Sequence, residues 1–249
     1  MNPDYILECC TDSVSSAQAA QKGGASRLEL CSNLIIGGTT PTVGLLSGVK
    51  EQVTIPVYVL MRPRFGDFLY SEEEFNVLCR DLECLKKAGA DGFVIGCLNP
   101  DGSLCMEQME RLMELCGGKP VTLHRAFDMC SDPYAAYDAA GSLGISTILT
   151  SGQQNTCLEG IGLLKELSSR RNAPRIMAGS GVNADVIATL LAETSLTAFH
   201  MSGKKTVQSA MTFRNPQVSM GTASLDEYSI WQTDAAEIKK AADMLCRPK

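Results

Sequence analysis

Two copies of a Glu-x-Cys pattern near the start of the chain carry residue types that can bind metals or move protons. The copies are Glu8 to Cys10 and Glu29 to Cys31, and each lies at the end of an apolar stretch. Side chains alternate across a β-strand, so Glu8 should share a face with Cys10, and Glu29 with Cys31. A carboxylate in a buried strand is costly unless it is paired or bound. On neighbouring strands, the two patterns would bring two thiols and two carboxylates together.

A pair of thiols on adjacent strands favours a soft metal ion of low coordination number. Cu(I) is the usual ion at such a pair of thiols, whereas Zn²⁺ usually has about four ligands. The chain has no Cys-x-x-Cys pair that could supply more thiols. We therefore predict that Cys10 and Cys31 bind Cu(I). The alternative is that both are buried thiols that pack as small hydrophobic side chains.

The elements that must position these residues alternate between helix and strand. A helical stretch ends at a glycine, small or polar residues follow, and an apolar strand comes next, as at Gly89 and Gly144. Such alternation predicts an α/β fold of parallel strands, and about eight units predict a (β/α)8 TIM barrel, one domain over residues 1–249. An open doubly wound sheet is the alternative, but no Gly-x-Gly-x-x-Gly follows the first strand. The strands are expected near residues 5–10, 27–31, 56–61, 92–97, 120–125, 146–150, 174–178 and 197–201.

The end of the chain departs from the repeating unit. Residues from about 203 to 228 are polar and predict a long loop, either a lid or a subunit contact. Residues from about 235 to 246 have a helical pattern and are expected to form the eighth helix.

Two arginines follow the third strand, at the end of the barrel where TIM-barrel chemistry is found. Arg62 and Arg64 share a parity on either side of Pro63, so both could point into the barrel mouth. There they could clamp a carboxylate or phosphate through paired hydrogen bonds. Their other role would be to neutralise Glu8 and Glu29.

Carboxylates and a histidine at the same end are candidates for catalysis. His124 and Asp128 share a parity after strand five, which fits a general base with its orienting carboxylate. Glu8 and Glu29 are the other catalytic candidates. The second histidine of the chain, His200, falls at the same end of the barrel.

A glycine-rich turn follows strand seven. Gly179 and Gly181 precede a predicted helix, and phosphate in TIM barrels commonly binds after strands seven and eight. We therefore expect Gly179, Gly181 and Ser202, which follows strand eight, to bind an anion. Tight turning alone would also explain the glycines.

Composition excludes several classes of partner. The 249-residue chain has a net charge of −6 and no run of lysine and arginine longer than a pair, so neither nucleic acid nor an anionic membrane is expected. It lacks the pattern of a signal peptide and any apolar run of about 18 residues, so we expect a cytoplasmic protein. The 11 cysteines are scattered, and in a reducing compartment most should be thiols.

Several longer motifs resemble those of the copper homeostasis family CutC, in the family's order. They are GGTTP at 37–41, RPRFGDFLYS at 62–71, HRAFDM at 124–129, LTSG at 149–152 and FRN at 213–215. The resemblance implies a TIM barrel, an oligomer, a location in the cytoplasm and in animals also the nucleus, and a role in copper tolerance. It also implies that Cys10 and Cys31 are the Cu(I) ligands. Phe65 is a departure, since many members should have glycine there.

Two hypotheses of function follow. The first is a homeostasis protein that binds Cu(I) through Cys10 and Cys31. The second is a metal-independent enzyme acting on a small anionic metabolite that bears a carboxylate or phosphate. In that case Arg62 and Arg64 bind the anion, His124 or a glutamate moves a proton, and the cysteines are incidental or nucleophilic. A third hypothesis is a barrel that binds such a ligand without converting it.

Overall fold

Eight short parallel strands close into a barrel in chain order, which confirms the predicted TIM-barrel fold. A computed structural model describes residues 5–170, 174–220 and 226–246. The strands are β1 Ile6–Thr11, β2 Arg27–Leu30, β3 Val57–Leu60, β4 Gly92–Ile95, β5 Val121–Leu123, β6 Thr147–Thr150, β7 Arg175–Ala178 and β8 Ala198–Met201.

Helices follow the strands and cover the outside of the barrel, as the alternating pattern predicts. The longest, α3, is capped by Ser71, whose side chain accepts from the backbone N–H of Glu74 while Glu74 bonds back to Ser71. The helices are α1 Val14–Gly23, α2 Val43–Lys50, α3 Glu72–Lys87, α4 Met106–Cys116, α5 Pro133–Ser142, α6 Ile161–Ser169, α7 Ala184–Glu193 and α8 Ala235–Leu245. The last of these is the C-terminal helix expected at 235–246.

Alternation along each strand sorts side chains between the helices and the barrel interior. In β1, Leu7 and Cys9 belong to the main hydrophobic core, which also contains residues of the surrounding helices. Glu8 and Cys10 have the opposite parity and point into the barrel, where Glu8 meets β2 and β8. A smaller apolar cluster lies inside the barrel and consists of Cys31, Tyr58, Leu60 and Val94.

The segment predicted as a loop at 203–228 begins with a strand instead. Lys204–Gln208 (β9) pairs in antiparallel fashion with Ser229–Thr233 (β10) in a separate two-stranded sheet. The Lys204 ammonium lies 3.3 Å from the centre of the Trp231 ring, and this cation–π contact adds to the pairing. The polar composition that indicated a loop is that of an exposed ribbon. Residues 221–225 of the predicted loop lie outside the described residues.

In the part of the chain that the structure describes, no helix has both the length and the apolar character that a membrane span requires.

Candidate functional site

A cavity of about 520 Å³ opens where the barrel strands end and their following loops begin. This is the end of a TIM barrel at which ligands and substrates bind. Six of the residues predicted from the sequence line it, namely Cys10, Glu29, Arg62, His124, Gly181 and Ser202. The remaining predicted residues lie outside its lining, namely Glu8, Cys31, Arg64, Asp128 and Gly179.

The pairing of β1 with β2 decides which parts of the two Glu-x-Cys patterns meet. Cys10 lies opposite Glu29, and Glu8 lies opposite Arg27. The patterns are therefore offset by two residues, which places a thiol beside a carboxyl group. Cys31 lies further towards the barrel mouth, past the last paired residues of the two strands.

Glu8 is fully buried and lies at the centre of an ionic cluster with Arg27 and His200 at the base of the cavity. Its Oε2 accepts a hydrogen bond from Arg27 Nε at 2.6 Å, and its Oε1 lies 2.8 Å from His200 Nδ1. Burial alone would raise the pKa of Glu8, but the charges and hydrogen bonds of Arg27 and His200 outweigh it and lower the pKa. Arg27 also lies over the Tyr58 ring, 4.1 Å from its centre. Glu8 therefore orients His200 and balances charge.

Glu29 and His200 carry the titratable groups at the cavity floor. Burial raises the pKa of Glu29 to about 7, although the charge of His200 opposes this, and its Oε2 has no hydrogen-bond partner. Burial alone would lower the pKa of His200, but Cys10, Glu29 and Glu8 raise it well above its usual value. The floor therefore combines a carboxyl group that exchanges protons near neutral pH with a charged imidazole.

Glu8, Glu29 and His200 also have the composition of a metal site. Their ligand atoms lie within 4.8 Å of one another, and among the described residues no other group of three or more metal-ligating side chains does so. Arg27 and the charged His200 already supply positive charge there, so the carboxylates do not require a cation to balance them. Neither predicted cysteine ligand belongs to this group.

The two predicted copper ligands differ in access. Cys10 is 7% exposed and lines the cavity, whereas Cys31 is fully buried. The loop after β2 covers Cys31, because a Cβ atom added at Gly38 would lie 3.2 Å from its Cβ and 3.4 Å from its Sγ. The Cys31 thiol lies 3.6 Å from the carbonyl oxygen of Thr11, to which it donates. Burial, reinforced by Cys10, raises the pKa of Cys31 well above its usual value.

Only one of the two predicted anion-binding arginines faces the cavity. Arg62 lines it and bonds to backbone carbonyl groups rather than to Glu8 or Glu29. Arg64 instead pairs with Asp67 and Glu74, so the expectation that it points into the mouth is wrong. The predicted role of both arginines as neutralisers of the glutamates is also wrong, because Arg27 pairs with Glu8.

His124 and Asp128 do not form the predicted base and carboxylate pair. The Nδ1 atom of His124 accepts a hydrogen bond from the backbone N–H of Ala126. Asp128 accepts hydrogen bonds from Thr150, Ser151, Gln153 and Arg125, and so anchors the loop after β6. The strand ends at Leu123 and a 3-10 helix spans Arg125–Met129, so strand parity no longer applies between the two residues.

Of the two glycines in the turn after β7, Gly181 lines the cavity and Gly179 does not. Ser180, Gly181 and Val182 line the cavity, and both Ser180 (φ 69°) and Gly181 (φ 79°) have left-handed backbone conformations. Gly179 does not line the cavity but allows close packing, because a Cβ atom there would lie 2.5 Å from a methyl carbon of Leu149. Ser202 lines the cavity beside this turn, after the neighbouring strand β8.

Sequence reasoning missed the partners of Glu8. Arg27 has the same strand parity as Glu29, two residues away, and this pattern could have placed it inside the barrel. His200 was placed at the correct end but without a role. Its role follows from the pairing of β8 with β1, in which His200 lies opposite Glu8, and strand register is not visible in one sequence.

Comparisons with known proteins agree on one family. The CutC family model matches residues 5–205. The human copper homeostasis protein cutC homolog is 44% identical over 237 residues, which are 94% of this chain and 87% of that protein. A family protein CutC of Bacteroides fragilis (strain YCH46) is 42% identical over 245 residues, which are 97% and 96% of the two chains. A solved CutC structure from Streptococcus agalactiae has a TM-score of 0.74 at 30% identity and covers 80% of this chain and 98% of that one.

Proposed function

Because the chain belongs to the CutC family, we propose that it acts in copper homeostasis by binding Cu(I) through Cys10 and Cys31. The human and mouse relatives carry the name copper homeostasis protein. Copper is the cargo in this proposal. The two thiols, rather than the neighbouring carboxyl groups, are the donors that a soft monovalent ion prefers.

The observation that carries this proposal is the position of Cys10. Cys10 lines the cavity at the barrel mouth, and it is the single cysteine in that lining. Cys31 is on the neighbouring strand, close enough that Cys10 contributes to the raised pKa of its thiol. A copper ion in the cavity would meet Cys10 first, because the loop that contains Gly38 covers Cys31 although Cys31 lies nearer the mouth.

Binding through Cys31 requires two changes. The loop of residues 33–38 must move away from its thiol, because Gly38 packs directly against it. The thiol must also lose its proton, which burial makes costly. Cu(I) binding should therefore release protons and strengthen as the pH rises.

A competition titration tests the proposal. Reduced, oxygen-free protein is titrated with Cu(I) against a chromogenic Cu(I) chelator, beside Cys10→Ser, Cys31→Ser and the double variant. Cys84→Ser is the matched control, since Cys84 is an exposed thiol on α3. We expect the double variant to lose the tightest site and the control to keep it. Undiminished binding in the double variant would remove Cys10 and Cys31 as ligands.

A further inference from the structure

Arg62 is a buried guanidinium that, among the described residues, has no carboxylate partner. It is 8% exposed and lines the cavity. Its Nη1 donates to the carbonyl oxygens of Ile36 at 3.4 Å and Gly38 at 3.1 Å, and its Nη2 donates to that of Gly66 at 2.7 Å. Its Nε is buried and has no hydrogen-bond partner in the part of the chain that the structure describes. Nε and Nη2 form one edge of a guanidinium, and such an edge binds an oxyanion through two parallel hydrogen bonds.

His124 also lines the cavity and carries a second donor without a partner among the described residues. Its Nδ1 accepts the backbone N–H of Ala126 at 3.1 Å, so the proton of the neutral ring lies on Nε2. Burial and the charge of Arg62 lower the pKa of His124 to about 3, which keeps the ring neutral at neutral pH. The residue is 4% exposed, and its Nε2 is buried and has no hydrogen-bond partner within residues 5–170, 174–220 and 226–246.

Phe68 packs against both donors and keeps them together. Its ring centre lies 4.8 Å from that of His124, and the Arg62 guanidinium carbon lies 5.1 Å from it. The absence of a side chain at Gly96 makes room for the imidazole, because a Cβ atom there would lie 2.5 Å from His124 Cε1. The two unused donors are therefore held by packing before any ligand arrives.

The rest of the lining favours an organic anion. Lys204 adds positive charge at the rim, whereas the charge of Arg125 is paired with Asp128. Glu29 is the one carboxyl group among the residues that line the cavity. Apolar side chains form the remaining walls, including Leu60, Leu149 and Val182. A buried cation is costly without a counter-charge, and apolar walls would cover a carbon skeleton.

We propose that the cavity binds the carboxylate or phosphate group of a small organic anion, held by the Nε and Nη2 edge of Arg62 and by the Nε2–H of His124. Carboxylate and phosphate share the oxyanion chemistry that these donors recognise. The anion site does not use the thiols of the copper proposal, since neither donor is a thiol and neither is hydrogen-bonded to Cys10 or Cys31. The proposed anion binding does not require that the protein catalyse a reaction.

The presence of only two histidines in the chain makes a direct test practical. Protein labelled with nitrogen-15 at histidine should show, in proton–nitrogen correlation spectra at neutral pH, one neutral ring with its proton on Nε2 and one charged ring. The ligand probes are butyrate and butyl phosphate, which share a carbon chain, with butanol as the uncharged control. We expect at least one anion, and not butanol, to shift the His124 Nε2 signal in a saturable way.

Matched variants assign the binding to the proposed donors. Arg62→Met should weaken anion binding at least about tenfold, whereas Arg64→Met should leave it unchanged. Arg62 also bonds to two loops, so the Arg62→Met variant could misfold. A second pair of variants, at His124, therefore tests the same site without changing those bonds. His124→Gln places an amide N–H near the position of Nε2 and should retain binding. His124→Asn keeps an acceptor for the N–H of Ala126, but its shorter side chain places no donor at the position of Nε2, so it should lose binding. Calorimetry measures both affinities.

Three results would overturn the proposal: a His124 ring that is charged or protonated on Nδ1, no saturable shift with either anion, or equal affinities in the Arg62 and Arg64 variants. A response to butyrate alone or to butyl phosphate alone identifies the head group. Cu(I) titration of the His124 variants keeps the two proposals separate, because loss of the His124 donor leaves both thiols and the loop over Cys31 in place.

Discussion

Cys10 and Glu29 are direct neighbours on β1 and β2, so the thiol at the cavity floor has a carboxyl group beside it. The second thiol, Cys31, lies nearer the mouth and beneath the loop that contains Gly38. The two cysteines are thus on one face of the barrel but in different surroundings. Their chemical reactivity should differ accordingly.

Alkylation rates should separate the two thiols. Cys10 lines the cavity, whereas Cys31 is fully buried and burial raises its pKa, so a maleimide should modify Cys10 first. Arg62 bonds to the carbonyl groups of Ile36 and Gly38 in the covering loop, so Arg62→Met should speed the modification of Cys31. Peptide mass spectrometry over time measures both rates, with exposed Cys84 as the reference. Equal rates for Cys31 in both proteins would show that Arg62 does not hold the loop closed.

Removal of one partner of the buried Glu8–Arg27 ion pair should destabilise the fold. Arg27→Met leaves the Glu8 carboxylate with His200 alone, and we expect the free energy of unfolding to fall by about 3–5 kcal/mol. Glu8→Gln combined with Arg27→Met should recover part of that loss, because the carboxylate that Arg27→Met leaves without its arginine is removed as well. Urea unfolding of the two single variants and the double variant measures the coupling. A double variant as unstable as the sum of the single losses would argue against the pair.

His124 should make the protein less stable in acid. Its pKa is about 3 in the fold, and about 6.5 in an unfolded chain, so the unfolded chain binds more protons between these values. The free energy of unfolding should therefore fall as the pH drops from about 6.5 towards 3. In His124→Asn this contribution is absent and the fall should be shallower. Urea unfolding at about pH 7 and about pH 5 compares the slopes, and parallel slopes would contradict a neutral buried imidazole.

Gly96→Ala should displace the His124 ring. The added Cβ would lie 2.5 Å from Cε1 and 2.7 Å from Nδ1, so the ring must move. We expect a loss of about 1–3 kcal/mol in the free energy of unfolding, as for other overpacked sites. The anion-induced shift of the His124 signal should disappear, while Cu(I) affinity should stay the same. Gly162→Ala on α6 is the control, because nothing lies within 4 Å of its added Cβ.

The fold could be predicted because alternating strands and helices leave few arrangements. Strand parity correctly placed Glu8 and Cys10 inside the barrel, since alternation is local. It failed for His124 and Asp128, where the chain leaves β5 and enters a 3-10 helix. It also failed for Arg64, whose side chain turns outward to the carboxylate that caps α3.

Strand register was the other limit of prediction. The contact between Glu8 and Arg27 depends on how β1 and β2 slide past each other, and barrel closure fixes that stagger over the whole chain. A single sequence does not display this long-range constraint. The Glu-x-Cys repeats suggested that the two thiols and the two carboxylates meet. The stagger of the strands instead places the Cys10 thiol opposite Glu29.

The cavity contains both histidines of the chain, and they differ in proton state. The one after β5 is a neutral donor, while the one on β8 is a charged ring backed by Glu8. Opposite walls therefore present different electrostatic potentials to the same small volume. A ligand whose two ends differ in charge would therefore bind in one preferred orientation, and the barrel fixes that orientation before the ligand binds.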